Sequence, residues 1–182
     1  MSSQEPRSAP GEPPETSLGS VVARLAVVMQ SGLSPGDLAA LRRLRGDVPP
    51  AAFYRLVARH LEPESLPEVG AAREALEARW MIVLAAMARL VGLHRPRLSL
   101  GEALADAGYH ELRFERLLRA DSAALPEQIQ AASIYLAARG APCDHADLAA
   151  LVLTTDPARA TQLRRRLARS YHRTLSKKTR TA

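Results

Sequence analysis

The sequence predicts an all-α protein of two small helical bundles joined by a short proline-containing linker. Three observations carry that prediction. Val and Ile are too sparse and too unevenly spaced for several strands, whereas Ala, Leu, Arg and Glu favour helix. Apolar residues recur at i, i+3, i+4 and i+7 in one segment after another. Pro, Gly and short polar capping residues mark where these segments start and stop. The chain has 182 residues and is 47% hydrophobic but only 4% aromatic, so its core must be built from Leu, Ala and Val.

Residues 1–17, rich in Ser, Pro, Glu and Gly, lack the apolar surface to fold and are expected to be a disordered leader. An N-terminal bundle is expected over 18–94. Its first helix, over 21–29, places Val22, Leu25 and Met29 on one face. Ser34 caps the next, with Pro35 in its first turn and Asp37 favourable to the helix dipole. That helix buries Leu38, Leu41 and Leu44 and presents Arg42, Arg43 and Arg45. A third, over 51–61, turns Phe53, Leu56 and Val57 inward, with Arg55 and Arg59 further round. The longest of this bundle, over 71–93, carries a stripe of Leu76, Trp80, Val83, Leu84, Met87, Leu90 and Val91. Trp80 is therefore expected in the core.

Residues 94–98, with Pro96 inside, form the expected linker, and a C-terminal bundle follows over 95–175. The stretch SLGEALADAGYHELRFERLLRAD at 99–121 holds two short helices hinged at Gly108. Ser99 and Glu102 have the spacing of a capping box. The second helix buries Phe114, Leu117 and Leu118 and turns Arg113, Arg116 and Arg119 outward. Pro126 opens a further helix, stopped by Gly140 and Pro142, and Asp144 caps the next. The last helix starts at Asp156 and buries Leu163, Leu167, Tyr171 and Leu175; beyond it, 176–182 is expected to be a flexible basic tail.

The net charge of +6 is unevenly placed. Residues 156–182 hold nine Lys or Arg against Asp156 alone, a net of +8 that leaves −2 for the rest. A basic segment on a near-neutral body points to a polyanion, most often nucleic acid. On the last helix Arg159, Arg166, Arg169 and Arg173 fall within about 80° of one another at about 100° per residue. Such a band can track a phosphate backbone, and a solvated polar face explains it equally well.

Other functions find little support. No phosphate-binding glycine loop, H-E-x-x-H or G-x-S-x-G is present, so neither an enzyme nor a bound cofactor is expected. Cys143, Asp144, His145 and Asp147 lack a second Cys/His pair, so no metal is expected there. The most apolar run, 80–93, contains Arg89 and is shorter than the roughly 20 residues needed to span a bilayer. One cysteine and no signal pattern lead to the expectation of a cytoplasmic protein.

In order along the chain, LRRLR at 41–45, AAFYRLV at 51–57, SLGEALADAG, ERLLRAD, and the Asp144-led segment ending LVLTT at 151–155 resemble one family. It is the small subunit (CasB family) of the type I-E CRISPR Cascade surveillance complex. The resemblance implies two helical bundles, no catalysis, and two copies lining an RNA-guided complex against its large and backbone subunits. There it implies contact with crRNA and target DNA, holding the guide–target heteroduplex and the displaced strand. The basic residues it carries over are Arg42, Arg43, Arg55, Arg113, Arg119 and Arg159, to which the helical band adds Arg166, Arg169 and Arg173. The family often has a tryptophan where this chain has His145. A helix-turn-helix DNA-binding regulator built on 98–119 is the alternative, with Arg113 and Arg116 offered to a major groove.

Overall fold

The computed structural model describes residues 17–44, 48–61 and 70–181, and among them all regular structure is helical. All of the expected leader but Ser17, and Arg45, lie outside the described residues, as do residues 62–69.

Among the described residues, four helices come from the N-terminal half. Helix α1 (Leu18–Ser31) starts at Ser17, the last residue of the expected leader, whose hydroxyl accepts from the Ser20 N–H. Helix α2 (Pro35–Arg42) has the Ser34 cap and the first-turn proline that its sequence predicts. Helix α3 (Ala51–His60) buries Phe53, Leu56 and Val57. Helix α4 (Ala71–Arg89) ends four residues before the expected boundary, because Leu90 leaves the helix and Gly92 takes a left-handed φ of 79°. Trp80, Val83, Leu84 and Met87 are buried as expected, and so are Ala85, Ala86 and Ala88 round the helix. Small residues on the remaining faces let α4 be covered on several sides.

Five more helices follow: α5 (Leu100–Asp106), α6 (Glu111–Arg119), α7 (Leu125–Ala138), α8 (His145–Leu153) and α9 (Pro157–Thr181). Gly108 ends α5 at φ 79° in a Schellman arrangement: Gly108 N–H donates to the Ala105 carbonyl and Tyr109 N–H to that of Leu104. The start of α5 differs from expectation. Ser99 makes no cap; its hydroxyl pairs with that of Ser170, 2.9 Å away on α9. The Leu100 N–H is satisfied instead by Asp147 Oδ2 at 2.9 Å, from α8. A tertiary carboxylate has displaced the local capping box.

Helix α9 is longer than expected, continuing past Leu175 through the segment read as a flexible tail. Lys178 explains the extension, because its ammonium donates to the Ala105 and Asp106 carbonyls at 3.0 and 2.8 Å. It thereby satisfies the open carbonyl end of α5, where a cation is also favoured by the dipole. Tyr171 is buried, stacks on Phe114 with ring centres 4.0 Å apart, and donates its hydroxyl to the Tyr109 carbonyl.

The buried apolar residues from Val21 to Tyr171 form one continuous cluster. Helix α8 packs on both α1 and α4, and α7 also covers α4, so packing runs across the 94/95 boundary expected between two bundles. The segment at that boundary is tied to the chain before α8. Cys143 N–H donates to the Leu93 carbonyl, Arg95 N–H to the Cys143 carbonyl and Asp144 N–H to the Leu98 carbonyl, at 3.0, 2.9 and 2.7 Å. Arg97 is the one non-glycine described residue with positive φ, at 67°, a conformation costing about 1–2 kcal/mol. Its N–H is held by Asp144 Oδ2 at 2.8 Å.

Helix α9 lies along α5, with Gly101 at the closest approach. A Cβ built there would sit 2.2 Å from the Leu167 carbonyl oxygen and 2.4 Å from Ser170 Oγ. Gly101→Ala should therefore force the two helices apart and cost about 1–3 kcal/mol, or more if the backbone oxygen cannot move. Urea unfolding checks it, and a midpoint equal to that of the parent would place the helices further apart than described.

Candidate nucleic-acid interface

The nine arginines predicted as contacts fall into two groups. Four are engaged within the protein. Arg42 Nε donates to the Ala88 carbonyl at 2.8 Å, closing the end of α4, while Arg89 donates to the Arg42 carbonyl. Arg55 pairs with Asp37 at 2.7 Å. Bonds from the Ser34 hydroxyl and then from Arg55 hold the Asp37 carboxyl below the usual carboxylate range. Arg119 reaches Glu115 at 3.5 Å, an exposed i, i+4 pair. Arg166 bonds Asp147 Oδ1 at 2.5 Å, while the other oxygen of that carboxylate holds the Leu100 N–H. Asp147 is nearly buried, so one carboxylate ties α5, α8 and α9 together.

The other five, Arg43, Arg113, Arg159, Arg169 and Arg173, are exposed, and their guanidiniums make no hydrogen bond or ion pair among the described residues. Three of them lie on α9. Because α9 continues, the band they share with Arg166 also takes in Lys177 and Arg180, at the same helical angles. It runs about 32 Å from Arg159 to Arg180. Arg166, Arg169, Ser170 and Arg173 line one shallow concavity, and Arg173, Ser176, Lys177 and Arg180 line the next. The surface so formed is a cationic strip with no acidic side chain lining either hollow.

The neighbours of α9 leave this strip open. Helix α6 touches α9 through Glu111 with His172, Phe114 with Tyr171, and the Ala120 carbonyl with Arg164. Tyr171 and Arg164 lie roughly opposite the band at about 100° per residue, and His172 lies beyond its other edge. Helix α5 meets α9 at Ser170, on one edge of the band, and at Leu167 and Lys178, further round toward Tyr171. Arg113 and Arg119 on α6 are consequently apart from the α9 strip, and Arg42, Arg43 and Arg55 belong to the N-terminal half. On α6 itself, Glu115 engages Arg119 and Leu112 is exposed, which is a poor surface for a base-reading helix.

The cluster around Cys143 behaves as core. Burial pushes the Cys143 thiol up to about 12 and takes His145 down to about 4. The His145 ring lies 4.8 Å from that of His94, whose Nδ1 accepts the His145 N–H. No group of three or more His, Cys, Asp or Glu among the described residues is placed to hold a metal ion. No described helix is long and apolar enough to cross a membrane.

The chain has the fold of the solved CasB proteins. CasB from Thermobifida fusca matches with a TM-score of 0.69 at 21% identity, covering 85% of this chain and 97% of that one. CasB from M. ruber matches with a TM-score of 0.65 at 19% identity, covering 91% and 98%. The family model for CRISPR-associated protein Cse2 matches residues 37–172. This chain belongs to that family, the CasB/Cse2 proteins of type I-E Cascade. Membership implies association with other Cascade components. No curated protein sequence matches the chain.

Proposed function

We propose that this protein is a non-catalytic, cytoplasmic small subunit of an RNA-guided surveillance complex that grips nucleic-acid backbones through the strip on α9. The strands held are the crRNA–target heteroduplex and the displaced DNA strand. The large and backbone subunits, and a second copy of the chain, are its protein partners. The observation that carries this reading is the alignment of Arg159, Arg169 and Arg173, exposed and uncompensated, on the outer face of a helix whose inner face is core. A guanidinium on a phosphate positions a backbone and carries no base information. The strip therefore suits a subunit whose sequence specificity comes from a guide. Arg43 and Arg113 supply separate, weaker contacts, whereas Arg42, Arg55 and Arg119 are spent largely on internal partners.

The test is the triple variant Arg159→Ala, Arg169→Ala, Arg173→Ala in the assembled complex. Arg166 is left intact because it holds Asp147. Each lost phosphate contact should reduce the slope of log affinity against log salt by about 0.7–0.9, so the triple variant should lose about 2 to 3. The loss should be the same for every guide sequence, and each substitution should change folding stability by no more than about 0.5 kcal/mol. Normal assembly with an unchanged salt slope would make the strip a solvated face.

A further inference from the structure

We propose that Arg95 and Arg97, on the loop between α4 and α5, form a second arm of the phosphate-binding surface, set at the edge of the α9 strip. The proposal rests on the reading of α9 given above and adds two residues outside the nine arginines predicted as contacts. Three observations support it.

The loop is rigid by construction. Backbone bonds to Cys143 and from Asp144 fasten it on both sides of Pro96, and the Asp144 carboxylate holds the Arg97 N–H. Within this frame Arg97 adopts the left-handed conformation at φ 67°. Glycine takes that conformation without strain and arginine does not. Strain of this kind persists only where the surroundings over-determine it, and it concentrates at functional sites.

The two guanidiniums are also available. Arg95 and Arg97 are exposed and make no side-chain hydrogen bond or ion pair among the described residues. They flank a hollow whose other wall includes Glu102 and Asp106. Asp106 is drawn off by Lys178, 3.4 Å away. The carboxylates would repel a phosphate seated deep in the hollow, so the strand is placed on the arginine rim.

Finally, the loop adjoins the strip. Two residues after Arg97, the Ser99 hydroxyl meets that of Ser170, which lines the same concavity as Arg166, Arg169 and Arg173. A backbone lying along α9 thus passes the loop at that edge, where Arg95 and Arg97 would engage neighbouring phosphates from the side. Pairing a linear strip with a lateral clamp fixes the strand's direction as well as its attraction.

The test uses the full-length chain and a fluorescein-labelled oligodeoxythymidine, with anisotropy followed across a salt series and thermal unfolding measured in parallel. Arg97→Gly is the decisive variant because it removes the charge while relieving the strain. It should flatten the log–log salt slope by about 0.7, the value for one contact to a single strand, with a melting temperature equal to or above that of the parent. Arg95→Ala should flatten the slope equally, and Arg97→Lys should restore it. If both loop variants keep the parent slope while Arg169→Ala and Arg173→Ala lower it, the lateral arm is wrong and the α9 reading stands. If none of the four variants alters the slope, the α9 reading fails and takes this proposal with it. A weaker-binding Arg97→Gly protein that also melts earlier would reveal a structural role. Unchanged DNA binding with lost assembly onto the other Cascade subunits would make the loop a protein contact. Either of these last results overturns the proposal.

Discussion

Trp80→Ala should destabilise the protein by about 3–5 kcal/mol, the largest effect expected of a single truncation here. Trp80 is only 2% exposed, in the middle of α4, which is covered by α2, α7 and α8. The ring is the largest side chain in the core, and its helix is packed by elements from both halves of the chain. A cavity of that size cannot close by the shift of one element, because three helices pack on α4. Urea unfolding followed by circular dichroism is the appropriate measurement, since Trp80 is the sole tryptophan and its removal abolishes tryptophan fluorescence. The midpoint should fall with little change in the denaturant slope. A variant unfolding with the parent would put the indole outside the core.

Acid should weaken the fold before any ordinary carboxylate titrates. His145 is buried, and desolvation first, then the neighbouring His94 ring, carries its pKa from 6.5 down to about 4. Asp144 opposes the shift. Desolvation lowers His94 in the same direction. The folded state thus binds protons later than the unfolded state does. Stability is at its full value above pH 6.5 and is lost as pH falls through 6.5 to about 4. At about 1.4 kcal/mol per pKa unit, His145 alone accounts for roughly 3 kcal/mol at the acid end. Protonating His94 Nδ1 would also abolish the acceptor that holds the His145 N–H. His145→Leu should remove most of this slope, whereas parent-like pH dependence in that variant would assign the acid sensitivity elsewhere.

Local grammar made much of this fold legible. The Ser34 and Asp144 caps, the turn at Gly108 and the buried stripe of α4 each depend on residues within a few positions of one another. Sequence reasoning failed where a distant partner decided the outcome. Ser99 and Glu102 have the spacing of a capping box, yet Asp147, 47 residues from Leu100, occupies that role. The segment past Leu175, expected to be a flexible basic tail, is helical and is tied to the open carbonyls of α5. The candidate interface shows the same limit. Periodicity placed the α9 arginines on one face, but nothing local reveals that Arg42 closes α4 or that Arg55 faces Asp37. A guanidinium's availability is a tertiary property. The arginines flanking Pro96 carried a signal, a basic pair on a stiff turn, that a reading of the segment as a mere linker passes over.

The seam between α5 and α9 also governs the order in which the protein can be completed. Ser99 and Ser170 are 71 positions apart, and Lys178 and Ala105 are 73 apart. Closing loops of that length is slow compared with forming the helices themselves. Helix α5 has seven residues, too few to persist alone, and its Gly101 face is closed by α9. During synthesis α9 is made after the other described helices, so α5 lacks its principal neighbour until Leu167 and Tyr171 emerge. A nascent chain halted before those residues would hold an apolar seam open to chaperones and to other chains. The helix that carries the cationic strip is therefore also the keystone, and the protein gains its outward-facing charge in the same event that seals its interior.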